Sequence, residues 1–164
     1  MKPTFVIATE ADLPEIVRIY NQTVPTRQST ADLEPITVED RKAWFFAHNP
    51  EHRPLWLVQL DEAIVGWISL ADFYGRIAYD KTVEVSIYID ENYRGKQLGV
   101  ASLTFVETQV NELGIETILA FIFGHNLPSQ TLFKKFGYQT WAHLPAVAEM
   151  DGAKYDLDIL GKKY

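Results

Sequence analysis

The stretch from Glu84 to Leu103 constrains the fold of this chain more than any other. Apolar and polar side chains alternate over residues 82–90, which predicts a β-strand. The turn Arg94-Gly95-Lys96-Gln97-Leu98-Gly99 follows, and apolar residues then recur at helical spacing as far as residue 113. The first turn of a helix offers unpaired N–H groups at the positive end of its dipole. A strand that leads through a basic, glycine-containing turn into a helix therefore predicts a site for an anion such as pyrophosphate.

Composition limits the class of protein. A length of 164 residues suits one domain, residues 1–164, around one core. The net charge of -7 argues against nucleic acid or an acidic membrane surface as a partner. The chain has no cysteine, which excludes disulfides, a thiolate nucleophile and cysteine-based zinc sites. The N-terminal residues lack the apolar stretch of a signal peptide, and no run of about 18 apolar residues suggests a membrane span. We therefore expect a cytoplasmic protein.

Strands and helices are predicted along the whole chain. Strands are expected at residues 4–8, 55–60, 63–70, 82–90, 115–123, 138–141 and 154–160. Helices are expected from about residue 12 to 24, and at 37–48, 94–113 and 129–136, with a polar loop at 25–35. Because strands and helices alternate in the middle of the chain, we predict an α/β protein whose mixed sheet has helices on both faces.

The 94–99 turn resembles motif A of the GNAT acetyltransferases, in which the pattern Arg/Gln-x-x-Gly-x-Gly/Ala holds the pyrophosphate of acetyl-CoA. When the pattern is aligned on Arg94 and Gly99, its first glycine corresponds to Gln97. When it is aligned on Gly99 and Ala101, its leading arginine or glutamine corresponds to Lys96. We adopt the first register because its spacing from the preceding strand is usual for the family. The resemblance covers essentially the whole chain and implies the GNAT fold, with a mostly antiparallel mixed sheet. The implied acetyl-CoA contacts are Arg94, Gly95, Lys96, Gln97, Leu98 and Gly99, together with the backbone of Ile87, Tyr88 and Ile89, which would pair with the pantetheine arm.

Glu84 is the candidate catalytic residue. A carboxylate in the middle of an apolar strand is unusual, since glutamate is rarely buried without a partner. From position alone, Glu84 could instead face solvent on an edge strand, or pair with Arg76 or Lys81. Residues 76–84 resemble the R-x-A-Y-x-x-T-V-E pattern of the phosphinothricin and methionine sulfoximine N-acetyltransferases, a GNAT branch in which the matching glutamate is the catalytic base. A desolvated carboxylate with a raised pKa suits the removal of a proton from an ammonium group.

A second group of candidates follows the 115–123 strand. Residues 126–133 resemble the family pattern N-x-x-S/A-x-x-L-[Y/H], which implies that Asn126, Ser129 and Phe133 line the acetyl-CoA site. On local grounds Asn126 and Ser129 could equally be caps of the next helix. Many family members have tyrosine at position 133, where it protonates the departing thiolate, and this branch often has histidine. Phe133 cannot donate a proton, so the thiolate would leave unassisted or be protonated by another group.

The acceptor site is predicted in the connection before the Glu84 strand. Its residues Phe73, Tyr74, Arg76 and Tyr79 would line the pocket, with Arg76 binding a substrate carboxylate in bidentate fashion. The alternatives are core packing for the aromatic rings and a surface salt bridge for Arg76. No histidine has metal-ligand spacing with another histidine or a carboxylate, so no metal is expected.

Together the patterns imply an acetyl-CoA-dependent N-acetyltransferase acting on a small-molecule amine, first an amino acid or an analogue such as phosphinothricin or methionine sulfoximine. Two alternatives remain open. The acceptor could be a protein N-terminus or lysine, or the chain could be an acyl-CoA-binding sensor with weak catalysis, which Phe133 and Gln97 would favour. The resembling enzymes are commonly homodimers, and we expect the same here, with the two C-terminal strands as an interface.

Overall fold

The computed structural model describes residues 2–164, and a seven-stranded sheet runs through the whole of that range. The strands are β1 (Thr4–Ile7), β2 (Leu55–Leu60), β3 (Ala63–Asp72), β4 (Thr82–Ile89), β5 (Thr117–Phe123), β6 (Gln139–Met150) and β7 (Ala153–Lys163). They lie in the order β1-β2-β3-β4-β5-β7-β6. Every neighbouring pair is antiparallel except β4 and β5, which run parallel.

Four α-helices pack on this sheet: α1 (Leu13–Thr23), α2 (Val38–Phe46), α3 (Leu98–Gln109) and α4 (Leu127–Lys135). A capping box starts α2, because the Thr37 side chain accepts from the Asp40 N–H while the Asp40 carboxylate accepts from the Thr37 N–H. Asn126 caps α4 in a similar way, its side-chain oxygen accepting from the Ser129 N–H. These local bonds satisfy N–H groups that the first turn of a helix leaves unpaired.

The core has two layers, one on each face of the sheet. One layer packs α3 and α4, through residues such as Leu103 and Phe133, on the strands. The other packs α1 and α2 against the opposite face around Trp67. Side chains of β2 alternate between the two layers, as the pleat of a strand requires. The predicted fold, a mixed and mostly antiparallel sheet with helices on both faces, is therefore confirmed.

Several element boundaries differ clearly from the sequence-based prediction. Helix α3 begins at Leu98 rather than at residue 94, because Gly95 and Gln97 have φ angles of +77° and +57°, which a right-handed helix cannot contain. It also ends at Gln109 rather than at residue 113, since residues 110–114 form turns. The two final strands are also longer than predicted. They are joined by a tight turn at Asp151 and Gly152, both at positive φ, and the ladder bulges between Leu144 and Ala148.

The rest of the predicted boundaries lie close to the observed ones. Helix α2 ends at Phe46, slightly before the predicted end at residue 48. Within residues 2–164, no helix is both long enough and apolar enough to cross a bilayer.

Candidate active site

The parallel strands β4 and β5 separate part-way along their length, and the gap between them holds the candidate site. Their ladder ends where Glu84 pairs with Leu119, although β4 continues to Ile89 and β5 to Phe123. Each strand keeps its outer neighbour, β3 for β4 and β7 for β5. Backbone groups on the inner edges beyond Glu84 therefore lack a strand partner within residues 2–164, and they can bind an extended ligand as another strand would.

Two cavities open into this gap. Cavity 1 has a volume of about 480 Å³ and lies over the point where β4 and β5 separate. Cavity 2 has a volume of about 530 Å³ and extends from the end of β4 to the start of α3. They share the wall residues Gln28, Ser29, Ile87, Tyr88, Asn126, Ser129 and Phe133. Because they meet at these residues, molecules bound in the two cavities would be in contact.

Glu84 is the only charged residue among residues 2–164 that lines cavity 1. It is partly buried, and within the same range its side chain forms no hydrogen bond or salt bridge. Burial raises the pKa of the Glu84 carboxyl above its ordinary value, because desolvation penalises the charged form. The alternative partners from the sequence lie elsewhere: the Lys81 ammonium is 3.2 Å from the Glu116 carboxylate, and Arg76 is exposed. Glu84 is thus an available proton acceptor in a pocket whose other lining residues are uncharged, some polar and some apolar.

Cavity 2 contains the predicted anion-binding turn. Arg94, Gly95, Gln97, Leu98 and Gly99 line it, together with the ends of β4 and α4. Lys96 does not line it, and its ammonium instead lies 5.5 Å from the centre of the Tyr93 ring. The first bond within α3 runs from the Ala101 N–H to the Gln97 carbonyl, so the N–H groups of the preceding turn remain available. The turn offers one guanidinium and the positive end of a helix to an anion.

Gly99 has a packing role in the same turn. A Cβ at this position would lie 3.1 Å from the Leu132 side chain, tighter than ordinary contact. The absence of a side chain therefore lets α3 approach α4, which brings the turn close to Ser129 and Phe133. Gln97, in contrast, adopts a left-handed conformation that glycine adopts more readily. The departure from the family pattern at position 97 thus carries a conformational cost.

Helix α4 forms the wall that the two cavities share. Asn126 is buried and acts both as the cap of α4 and as a lining residue, so the two roles considered from the sequence coexist. Phe133 is buried as well, and its ring packs edge-to-face on Tyr138 with centroids 5.0 Å apart. Phe133, at the position of tyrosine or histidine in the family pattern, therefore lines both cavities with a ring that carries no polar group.

A short segment of the loop between α1 and α2, residues 27–30, spans the gap from β4 to the start of α4. We call this segment the strap. The Tyr88 hydroxyl donates to the Ser29 carbonyl at 2.9 Å, and the Asn126 amide donates to the Gln28 carbonyl at 3.2 Å. The His125 Nε2 lies 2.7 Å from the Arg27 carbonyl oxygen. The strap is thus tied to β4 on one side of the gap and to the start of α4 on the other.

The predicted acceptor residues Phe73, Tyr74, Arg76 and Tyr79 lie in the 73–80 loop, outside both cavities. Their aromatic rings form a cluster, with the Phe73 and Tyr74 centroids 4.8 Å apart and those of Tyr74 and Tyr79 5.4 Å apart. The cluster approaches cavity 1 through Phe121, a lining residue whose ring centre is 6.5 Å from that of Phe73. The loop therefore lies beside the mouth of cavity 1 rather than within it.

Sequence reasoning missed Gln28 and Ser29, which line both cavities. The only signal was a polar loop without periodicity, and such a loop gives no register from which to place a side chain. Residues 2–164 contain no group of three or more histidine or acidic side chains arranged to hold a metal ion.

Comparison with known proteins identifies the family. Residues 13–138 match the model of the Acetyltransferase (GNAT) family. The "Putative phosphinothricin acetyltransferase YwnH" of Bacillus subtilis is 49% identical over 161 residues, which cover 98% of each chain. An L-methionine sulfoximine/L-methionine sulfone acetyltransferase of Pseudomonas paraeruginosa is 31% identical, with 92% of this chain and 88% of that protein covered.

A solved structure supports the same assignment. The phosphinothricin acetyltransferase of Sinorhizobium meliloti, in complex with AcCoA, has a TM-score of 0.92 and 26% identity, and the match covers 99% of this chain and 89% of that one. The separation of β4 and β5, the turn before α3 and the match over residues 13–138 agree with one another. This chain belongs to the GNAT family of acetyltransferases.

Proposed function

We propose that the protein transfers the acetyl group of acetyl-CoA to the primary amine of a small molecule, an amino acid or an analogue such as phosphinothricin or methionine sulfoximine. The observation that carries this proposal is Glu84, a partly buried carboxylate and the only charged residue in the described range that lines cavity 1. The names of the relatives, which specify phosphinothricin and methionine sulfoximine, support the choice of acceptor.

Acetyl-CoA would occupy cavity 2. Arg94 and the free N–H groups at the start of α3 suit its pyrophosphate, since both favour negative charge. The unpaired inner edge of β4 at Ile87 and Ile89 suits the amide groups of the pantetheine arm. The thioester would then lie near Asn126 and Phe133, where cavity 2 meets cavity 1.

The reaction would proceed by direct attack of the amine on the thioester. The substrate ammonium gives a proton to the Glu84 carboxylate, and the neutral nitrogen forms a bond to the carbonyl carbon. The tetrahedral intermediate collapses when its C–S bond breaks, and its nitrogen loses its remaining extra proton to water, giving the neutral amide and the CoA thiolate. A backbone N–H on the inner edge of β4 would stabilise the oxyanion.

The departing thiolate needs no acid at position 133 under this scheme. An alkyl thiol has a pKa of about 8.5, so its anion is a tolerable leaving group near neutral pH. Water or a hydroxyl at the shared wall, such as that of Ser129, would solvate it. Phe133 is therefore compatible with turnover.

A panel of amines with acetyl-CoA tests the proposal. CoA release is followed with a thiol reagent, and the absence of cysteine means that the protein gives no background signal. The panel holds phosphinothricin, methionine sulfoximine, methionine sulfone, common amino acids, polyamines and a short peptide. We expect turnover with the amino acid analogues, and a fall of about 100-fold in kcat for Glu84→Gln with acetyl-CoA binding unchanged. Turnover with the peptide alone would move the acceptor to a protein N-terminus or lysine.

A second candidate is an acyl-CoA-binding sensor with weak catalysis, and the observation that favours it is the hydrocarbon edge of Phe133 at the junction of the cavities. It differs from the first proposal in one measurable way. A sensor would bind acetyl-CoA, as shown by calorimetry, yet release no CoA with any amine of the panel.

We further propose that the enzyme works in the cytoplasm and as a homodimer. Strand β6 is an edge strand with exposed apolar side chains, including Trp141 at 44% and Val147 at 57% exposure. Such an edge is suited to association with a second copy. Sedimentation of the parent and of a Trp141→Lys variant would test this: a parent that sediments as a monomer would contradict it.

A further inference from the structure

One buried cation outside both cavities holds the 73–80 loop to the body of the protein. The Arg53 side chain is only 5% exposed. Its Nε donates to the Asp72 carboxylate at 2.6 Å, and its Nη2 donates to the backbone carbonyl of Asp80 at 2.7 Å. Asp72 is the last residue of β3 and Asp80 the last residue of the loop, so a single guanidinium binds both ends of the loop.

The backbone of Arg53 is itself fixed. Its N–H and carbonyl both bond to Asn49, at 3.1 and 2.9 Å, in an isolated bridge ahead of β2. The next residue, Pro54, accepts a bond from the Leu70 N–H of β3 at 3.1 Å. The guanidinium therefore extends from a base that is anchored to the sheet, and it can fix the loop relative to that sheet.

Few other polar contacts hold this loop. Within residues 2–164, the polar contacts from the 73–80 segment to the rest of the protein are those of Arg53 and one bond from His52 to the Asp80 carboxylate at 2.9 Å. The remaining bonds, such as that from the Tyr79 N–H to the Arg76 carbonyl, are local turns. Among the polar contacts, those of Arg53 are therefore the main link between the 73–80 loop and the body of the protein.

We propose that Arg53 is a positioning residue for the acceptor amine: by clamping both ends of the 73–80 loop it sets where Phe73 and Arg76 lie relative to cavity 1. This rests on the proposed function, in which cavity 1 receives the amine. Arg53 itself touches neither cavity. It acts on the amine through the loop and leaves the acetyl-CoA contacts unchanged.

The geometry requires arginine rather than a cation in general. The planar fork of a guanidinium reaches two acceptors in different directions at once, whereas a lysine ammonium is a single point on a flexible stem. The variant Arg53→Lys therefore keeps the charge but loses the bridge. In Arg53→Met much of the volume is retained, and the Asp72 and Asp80 carboxylates, each about half exposed, become hydrated.

Kinetics with both substrates test the proposal. With the best amine of the panel, Arg53→Lys and Arg53→Met should raise the KM of the amine about tenfold, while the KM of acetyl-CoA changes less than about twofold. The control is Lys162→Met, which removes another cation that contacts a carboxylate, Glu107 at 2.7 Å, and a backbone carbonyl, but lies away from both cavities. This control should move neither constant.

Limited trypsin digestion gives a readout independent of activity. Arg76 lies exposed in the middle of the loop, so mass spectrometry can follow cleavage after it. Cleavage there should be faster in both Arg53 variants and unchanged in the control. If the KM of the amine and the cleavage after Arg76 are both unchanged, the proposal is overturned. It is also overturned if the KM values of the amine and of acetyl-CoA rise in parallel and cleavage occurs at many sites, since that result indicates general destabilisation.

Failure of the proposed function remains distinguishable. If the parent protein acetylates no amine, that function has failed. In that case, faster cleavage after Arg76 in Arg53→Met, with unchanged acetyl-CoA affinity by calorimetry, still supports the clamp, and unchanged cleavage overturns it.

Discussion

The substitution Tyr88→Phe tests how firmly the strap is tied across the site. The Tyr88 ring stacks on Trp67 with centroids 4.6 Å apart and lies 5.3 Å from the Tyr20 ring, and phenylalanine would keep both of these neighbours. The substitution removes the 2.9 Å bond from the hydroxyl to the Ser29 carbonyl. A neutral hydrogen bond contributes about 1 kcal/mol, and water can replace the donor because Ser29 is exposed. Opening of the strap should therefore become up to about fivefold easier.

Hydrogen exchange followed by mass spectrometry measures this opening directly. Peptides that contain residues 25–31 should exchange up to about fivefold faster in Tyr88→Phe, and the rest of the sheet should be unchanged. The matched control is Tyr138→Phe, which removes the 3.1 Å bond between the Tyr138 and Tyr164 hydroxyls, away from the strap. If residues 25–31 exchange at the parental rate, or if the control accelerates them equally, the strap is not held by Tyr88 and this reasoning is refuted.

Four further predictions concern single residues. Burial raises the pKa of Glu84 in the folded protein above its value of about 4.3 in the unfolded chain, so folding stability should fall as pH rises through this range. Calorimetry should therefore give Glu84→Gln a higher melting temperature than the parent at pH 8. At low pH the two melting temperatures should converge. Gln97→Gly should relieve a left-handed residue and raise the free energy of unfolding by up to about 1 kcal/mol in chemical denaturation, and a lower stability would contradict the conformational cost. Phe133→Tyr supplies a proton donor at the cavity junction and should raise kcat below the thiol pKa of about 8.5 if thiolate departure limits turnover, whereas an unchanged kcat there would show that it does not. Gly161→Ala should lower the free energy of unfolding by about 1–3 kcal/mol in chemical denaturation, because the Cβ of the new alanine would overlap the Trp141 ring. An unshifted tryptophan emission would show that the ring had not moved.

Local patterns were sufficient to predict most of the fold. The alternation in β2, β3 and β4 and the capping box at Thr37 act within a few residues, so the sequence carries them directly. The C-terminal hairpin could not be delimited in the same way. Pro145 and Ala146, the latter at a φ of +54°, interrupt the alternation at a bulge, and the strand resumes beyond it. A bulge is stabilised by its pairing with the neighbouring strand, which no local pattern reveals.

The candidate site shows the same difference between local and long-range features. Glu84, Asn126 and the turn before α3 belong to elements with strong local patterns, and the structure brings all three to the gap between β4 and β5. The contributions of Gln28 and Ser29 depend on bonds to residues about 60 to 100 positions away, such as the one from Asn126. The role of Arg53 depends on its contacts with both ends of a loop that begins about twenty residues later. Long-range contacts of this kind have no periodicity from which they could be predicted.

The departures from the family pattern, Gln97 and Phe133, fall where side chains matter least under the proposed mechanism. Under that mechanism the phosphate contacts would come largely from backbone N–H groups, and glutamine retains its own at position 97. The thiolate would leave without an acid because the pKa of the thiol lies only slightly above neutral pH. Glu84 has no such substitute, since no other charged residue in the described part of the chain lines cavity 1. The chemistry common to the family therefore constrains this chain mainly at one carboxylate and through backbone geometry. Under the proposals made above, the choice of amine would be left to cavity 1 and to the loop that Arg53 holds, so family membership alone would not determine the acceptor.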